Sequence, residues 1–189
     1  MNKFVALDIE TGGIGLDKSL LTAYFSILDE NFNETDNLYL RVKPDDGVYA
    51  VNAEALDINK IDLVKHDAVA ITYREAKTVL YSFLERNNPG GAVKLIPIGH
   101  GISFDIAFLC DKLISKPTWD HFVSYRSLDT SIIAQFLICC GQMPDSAAAL
   151  SKIAAYFGIP VEQAHTANGD VNMSIEVLKK MINLIKQED

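Results

Sequence analysis

The chain of 189 residues holds only three cysteines, Cys110, Cys139 and Cys140, none in CxxC spacing and two of them adjacent on an apolar, helix-like segment. Thiols this sparse argue against a disulfide framework or a Cys/His zinc site, and lead us to expect reduced, buried cysteines. Basic residues are also short, since 17 Lys and Arg face 25 Asp and Glu for a net charge of −8. That deficit speaks against broad binding along a nucleic-acid backbone. It leaves a metal-dependent site open, because bound cations reverse the local field that a phosphate meets. No apolar run approaches the roughly 18 residues that span a bilayer. Asp8 and Glu10 interrupt the first hydrophobic stretch, so neither a membrane segment nor a signal peptide is expected, and a cytoplasmic location is. Linkers, repeats and low-complexity tracts are missing too, and residues 1–189 are read as one compact domain. The absence of GxSxG and of a P-loop removes the nucleophile-elbow hydrolases and the P-loop nucleotidases.

What is present begins with FVALDIETGG, residues 4–13, where Asp8 and Glu10 share the parity of Phe4 and Ala6 and so project from one face of a strand. Two carboxylates side by side at a sheet repel each other unless a cation sits between them. If the strand ended near Leu7, both acids would instead lie in solvated loop. LLTAYFSIL (20–28) and NLYLRVKP (37–44) alternate around the turn-forming DENFNETD and predict an antiparallel hairpin beside the first strand. VNAEALDINKID follows as a short helix and loop. TYRE (72–75) has capping-box spacing ahead of a stripe of Val79, Leu80, Phe83 and Leu84, which predicts a helix ending near Asn87. VKLIPIGH (93–100) reads as a buried strand, followed by Ser103 as the cap of a helix over FDIAFLCDKLI. Helices are expected over 129–140, 146–157, with Gly158 ending it, and 170–187, where Val171, Ile175, Leu178, Ile182 and Ile185 form the apolar stripe. Three strands followed by alternating helices and a strand indicate an α/β domain, a mixed sheet with helices on both faces.

Ligands of such folds gather at strand ends, where Asp8, Glu10 and Asp105 of GHGISFD would all lie. HTANGDV adds His165 and Asp170. Five residues apart on one helix they would sit about 140° apart, so His165 is placed on the preceding loop and Asp170 in the first turn of the last helix, where the macrodipole tolerates a carboxylate. Each acid alone would pass as dipole compensation, and His100 as a structural histidine. Phe104 and Phe108, at helical spacing, read as core more than as base-stacking rings. Four carboxylates supply the hard oxygen ligands that Mg2+ or Mn2+ prefer. An imidazole can take a proton from water near neutral pH.

The order DIETGG, GHGISFD, HTANGDV resembles the three signature motifs of the DEDDh (DnaQ-like) 3′–5′ exonucleases, the group with polymerase proofreading subunits, ribonuclease T and oligoribonuclease. The likeness runs from near residue 4 to near residue 173. It implies a ribonuclease-H-like fold, two divalent cations (Mg2+ or Mn2+), and stepwise release of nucleoside 5′-monophosphates from a DNA or RNA 3′ end, single-stranded or short. On matching positions, it implies that Asp8 bridges both metals, Glu10 and Asp170 hold the first, Asp105 acts on the second partly through water, and His165 is the general base. Thr11, Gly12 and Gly13 would touch the terminal nucleotide. The resemblance also admits a homodimer, or a polymerase or replication partner. Gly101 stands where the family commonly has Asn, and Asp129 matches a common family position that reads as a helix cap or a support behind the ligands. The competing readings are a catalytically silent exonuclease-like module that binds nucleic acid or another protein, and a different two-metal nuclease.

Overall fold

The computed structural model describes residues 3–161 and 166–186. Its strands are β1 (Phe4–Thr11), β2 (Leu20–Leu28), β3 (Glu34–Lys43), β4 (Ile71–Thr72), β5 (Ile96–Gly99) and β6 (Leu128–Asp129). The helices are α1 (Ala53–Asn59), α2 (Leu63–Asp67), α3 (Tyr73–Asn87), α4 (Ser103–Lys112), α5 (Lys116–Phe122), α6 (Thr130–Cys139), α7 (Leu150–Tyr156) and α8 (Ala167–Lys186). The six strands lie in the order β4-β3-β2-β1-β5-β6. The β1–β2 and β2–β3 pairs are antiparallel, whereas β5 runs parallel to β1 and β6 parallel to β5. This is the expected mixed sheet with helices on both faces.

β1 is apolar at successive positions because both its faces are covered. Val5, Leu7 and Ile9 join Ala23, Phe25 and Ile27 against Leu80, Phe83 and Leu84 of α3, Phe108 and Leu109 of α4, and Trp119 and Phe122 of α5. On the other face Phe4, Ala6, Leu28 and Ile98 pack against Val171, Ile175 and Leu178 of α8. A second side of α8, with Met173, Val177 and Met181, packs on Ala134, Leu137, Ile153 and Ala154 of α6 and α7. Burying nonpolar surface at about 25 cal/mol per Å² makes this two-sided wrapping the main source of stability. It also fixes which parity of β1 meets α8.

The capping box at Thr72 and Glu75 forms as expected, with Glu75 Oε2 accepting from Thr72 N at 2.8 Å. Other local expectations need correction. Ser103 is the first residue of α4 and not its cap. The amides of Gly101 and Ile102, just before that helix, are instead held by Asp129 at 3.0 and 3.1 Å. A carboxylate from a neighbouring strand thus replaces a local cap. α7 starts at Leu150, because Pro144 and Ala147 close a turn across the preceding segment. Cys139 and Cys140 are exposed and Cys110 is half-buried, all three as free thiols. α6 buries Thr130, Ala134 and Leu137, and the last two cysteines fall beyond that stripe. Ile185, expected in the apolar stripe of the last helix, is likewise exposed.

Where β1 ends, the chain is locked to the segment 50–52. Gly12 N donates to Ser19 O at 2.8 Å and Asn52 N donates to Gly12 O at 2.7 Å. A Cβ on Gly12 would stand 2.5 Å from Ala50 O and 2.7 Å from Val51 Cγ1. Backbone therefore occupies the space a side chain would need. Gly12→Ala is expected to destabilise the fold by about 1–3 kcal/mol in urea unfolding. Unchanged stability would show that the 50–52 segment moves aside freely.

Candidate metal centre

β1, β5 and β6 are parallel to one another, so their carboxyl ends lie at one edge of the sheet. β1 brings Asp8 and Glu10 there. α4 begins after β5 and carries Asp105 in its first turn, and α8 carries Asp170 in its own. The strand reading of the first acids, and not the loop reading, is the one observed. Their parity is that of Phe4 and Ala6, which meet α8, and this is why Asp170 arrives beside them.

Ligand oxygens of Asp8, Glu10 and Asp170 all lie within 4.8 Å of one another. Asp105 stands behind this trio. Its Oδ1 accepts from Ile9 N at 3.1 Å, so the helix is tied to β1 between the two acids. β5 pairs with β1 only as far as Ala6 and Ile98. Past that point the Ile9 amide has lost its strand partner, and Asp105 supplies the acceptor a buried N–H requires.

The electrostatics are those of acids crowded out of water. Burial raises the Asp8 carboxyl well above its ordinary range, and the charges of Asp105, Asp170 and Glu10 raise it further. Glu10 is pushed up to about 8, by burial first and then by Asp170 and Asp105. Asp105 also rises to about 8 through burial, partly offset by hydrogen bonds from its own amide and that of Ile9. Among the described residues no Lys or Arg forms an ion pair with Asp8, Glu10 or Asp105. An all-oxygen donor set so closely spaced fits a hard divalent cation such as Mg2+ or Mn2+.

A cavity of about 230 Å³ opens on two of the three, lined by Asp8, Asp170, His100, Leu150, Ser151 and Met173. His100, a structural histidine by its sequence context, has both a structural bond and a place in this cavity. Thr130 Oγ1 donates to Gly99 O at 3.1 Å, and so accepts from His100 Nδ1 at 3.0 Å. The ring is thereby fixed with Nδ1 protonated and Nε2 as an acceptor. Burial lowers the His100 pKa, against a smaller upward push from Asp129. Its position directly after β5 was the sequence signal for this placement. A larger cavity of about 430 Å³ lies behind α4 among Ile106, Cys110 and Trp119, and holds none of the four acids.

Asp129 caps α6, accepting from Ser131 N, and holds the GHG turn through Gly101 N and Ile102 N. Burial alone would raise its pKa, but the hydrogen bonds from Ser131, Gly101 and Ile102 outweigh it and keep the carboxylate ionised below the ordinary range. Gly101 has φ +72°, with open space where a Cβ would point. Asn, the side chain that best tolerates this conformation, would fit there. Thr11 Oγ1 donates to Gly13 O at 2.7 Å, which shapes the corner beside Glu10. Phe108 is core, while Phe104 packs on it at 4.9 Å and stays partly exposed. His165 lies outside the described residues.

Solved structures of E. coli exonuclease I share this architecture. The complex with a dT13 oligonucleotide matches with a TM-score of 0.71 and 18% identity over 95% of this chain and 41% of that one. The fold is that of part of exonuclease I. The zinc-bound form of an exonuclease I–ssDNA complex matches with a TM-score of 0.70 and 19% identity over 100% of this chain and 41% of that one. The complex with a dA16 oligonucleotide matches with a TM-score of 0.71 and 18% identity over 99% and 43%. The chain thus spans about two fifths of the length of exonuclease I. No family model matches the chain, and no curated protein does. No helix among the described residues is long and apolar enough to cross a membrane.

Raised carboxyl pKa values set the sign of a pH dependence. Between the ordinary Glu range and about pH 8, folded Glu10 holds more proton than unfolded Glu10. Its contribution is therefore greatest at low pH and is lost as pH rises through that window. Glu10→Gln removes the effect, so the metal-free variant should gain in melting temperature relative to the parent as pH climbs from about 5 to about 8. Added Mn2+ should stabilise the parent more at the upper end than at the lower, since it displaces those protons. A parent–variant difference that is flat across the window would contradict the crowding described.

Proposed function

We propose that this chain is a metal-dependent 3′–5′ exonuclease that hydrolyses the terminal phosphodiester of a DNA or RNA strand to nucleoside 5′-monophosphates. The observation that carries the reading is the convergence of Asp8, Glu10 and Asp170 within 4.8 Å, with Asp105 behind them, at the strand ends of an exonuclease I fold. Phosphodiester hydrolysis needs a deprotonated water and a stabilised leaving oxygen. Two divalent cations, when bound, supply the positive charge for both ends of that in-line displacement.

In this reading Asp8 would serve both cations, Glu10 and Asp170 the first, and Asp105 the second. Asp105 also keeps β1 and α4 in register through the Ile9 amide. His165, assigned from its motif, takes the proton of the attacking water. Thr11, Gly12 and Gly13 present backbone to the terminal nucleotide, on a corner stiffened by the 50–52 lock. We read residues 1–189 as one such domain. Single-stranded DNA is the first substrate to test, since the matched structures of exonuclease I hold oligonucleotides.

A 5′-labelled single strand, as DNA and as RNA, should shorten one nucleotide at a time in Mg2+ or Mn2+ and stay intact in EDTA. Asp8→Ala should lower the rate at least about a thousandfold. His165→Ala should lower it by about 10²–10⁴ and flatten the acid limb of the pH profile. Internal cuts would favour a different two-metal nuclease. Binding without cleavage would favour a silent module, and full activity of Asp8→Ala would refute the assignment.

A further inference from the structure

Among the described residues, one buried side-chain polar atom has no hydrogen-bond partner, the hydroxyl oxygen of Thr22 in β2. Thr22 is 3% exposed, so bulk solvent does not reach it. The other hydroxyls around it are all engaged. Thr11 donates to Gly13 O, Ser19 accepts from Ala50 N, and Ser26 donates to Glu34 at 2.6 Å. In the antiparallel register Thr22 lies directly opposite Glu10, one step before the irregularity between Glu10 and Thr11. Side chains opposite each other project from the same face with Cβ atoms roughly 4.5–5.5 Å apart. The other cross-strand neighbour of Thr22 is Arg41, whose exposed guanidinium stacks on Tyr39.

Glu10 is the matching case among acceptors. Asp105 has the Ile9 amide, and Asp129 has the amides of Gly101, Ile102 and Ser131, but the Glu10 carboxylate receives no hydrogen bond from a described residue. An unmet donor therefore sits across from an unmet acceptor. A carboxylate that holds a metal is ordinarily steadied by a second hydrogen bond, which fixes its orientation and the oxygen it presents. We propose that Thr22 is a positioning residue for the metal centre, its hydroxyl donating to the Glu10 carboxylate when that carboxylate holds a divalent cation. This rests on the cation-binding reading of the trio. It adds a role for β2, which brings no metal ligand of its own. A valine of the same shape would suit the metal-free fold better, because it would bury no unmade hydrogen bond.

The test compares the parent, Thr22→Val and Thr22→Ser by calorimetric titration with Mn2+ alone and by thermal unfolding in EDTA. Thr22→Val should weaken Mn2+ binding about tenfold or more while its melting temperature in EDTA is unchanged or higher. Thr22→Ser, which keeps the hydroxyl, should bind within about threefold of the parent, on the same scale. Unaltered affinity in Thr22→Val would overturn the role of Thr22 and leave the cation site standing. A loss of affinity that comes with a lower melting temperature in EDTA, or that Thr22→Ser does not restore, would assign the effect to packing and equally overturn it. A parent that binds no Mn2+ would overturn the cation site itself, and this role with it.

Discussion

Mutual repulsion among Asp8, Glu10 and Asp170, with Asp105 close behind, is the interaction the strand ends are built to contain. Carboxylates within 4.8 Å of one another, partly out of water, cannot all ionise without a counter-charge. Among the described residues no lysine or arginine pairs with Asp8, Glu10 or Asp105. The fold holds the acids in place through backbone: β1 runs on to Thr11, the shortness of β5 frees the Ile9 amide for Asp105, and α8 packs on the face that Asp8 and Glu10 share. A surrounding structure that resists relaxation is what allows such strain to persist. The apolar contacts of α8 with β1 thus do electrostatic as well as packing work.

A second ring of contacts keeps the first from drifting. Asp129 spans β6, the GHG turn and α6 through three amides, and Thr130 links the Gly99 carbonyl to the His100 ring. Gly12 gives its side-chain space to the 50–52 backbone. These groups place the acids and are themselves ordinary fold chemistry, which is why a hydroxyl left unpaired at Thr22 stands out against them.

The motif-bearing segments were legible because their physics is local. Parity alone placed Asp8 and Glu10 on one face, and the Thr72/Glu75 capping box is contained within four residues. Non-local features were not legible. β4 and β6 are two residues long and owe their existence to a partner strand. Ser103 has the chemistry of a cap, but Asp129, 26 positions further along the chain, took the amides ahead of the helix. The exposure of Cys139 and Cys140 follows from where α6 outruns its contacts. Thr22 could not be matched to Glu10 without the strand register, which shifts immediately after Glu10. His100 stood next to the site in sequence, yet only the parallel pairing of β1 and β5 brings it into the cavity with Asp8.

Whether these carboxylates form a cation site is read most directly by anomalous diffraction from crystals soaked in Mn2+. Manganese peaks are expected bounded by Asp8, Glu10, Asp105 and Asp170. Peaks only elsewhere, or none, with the four side chains ordered as described would contradict such a site.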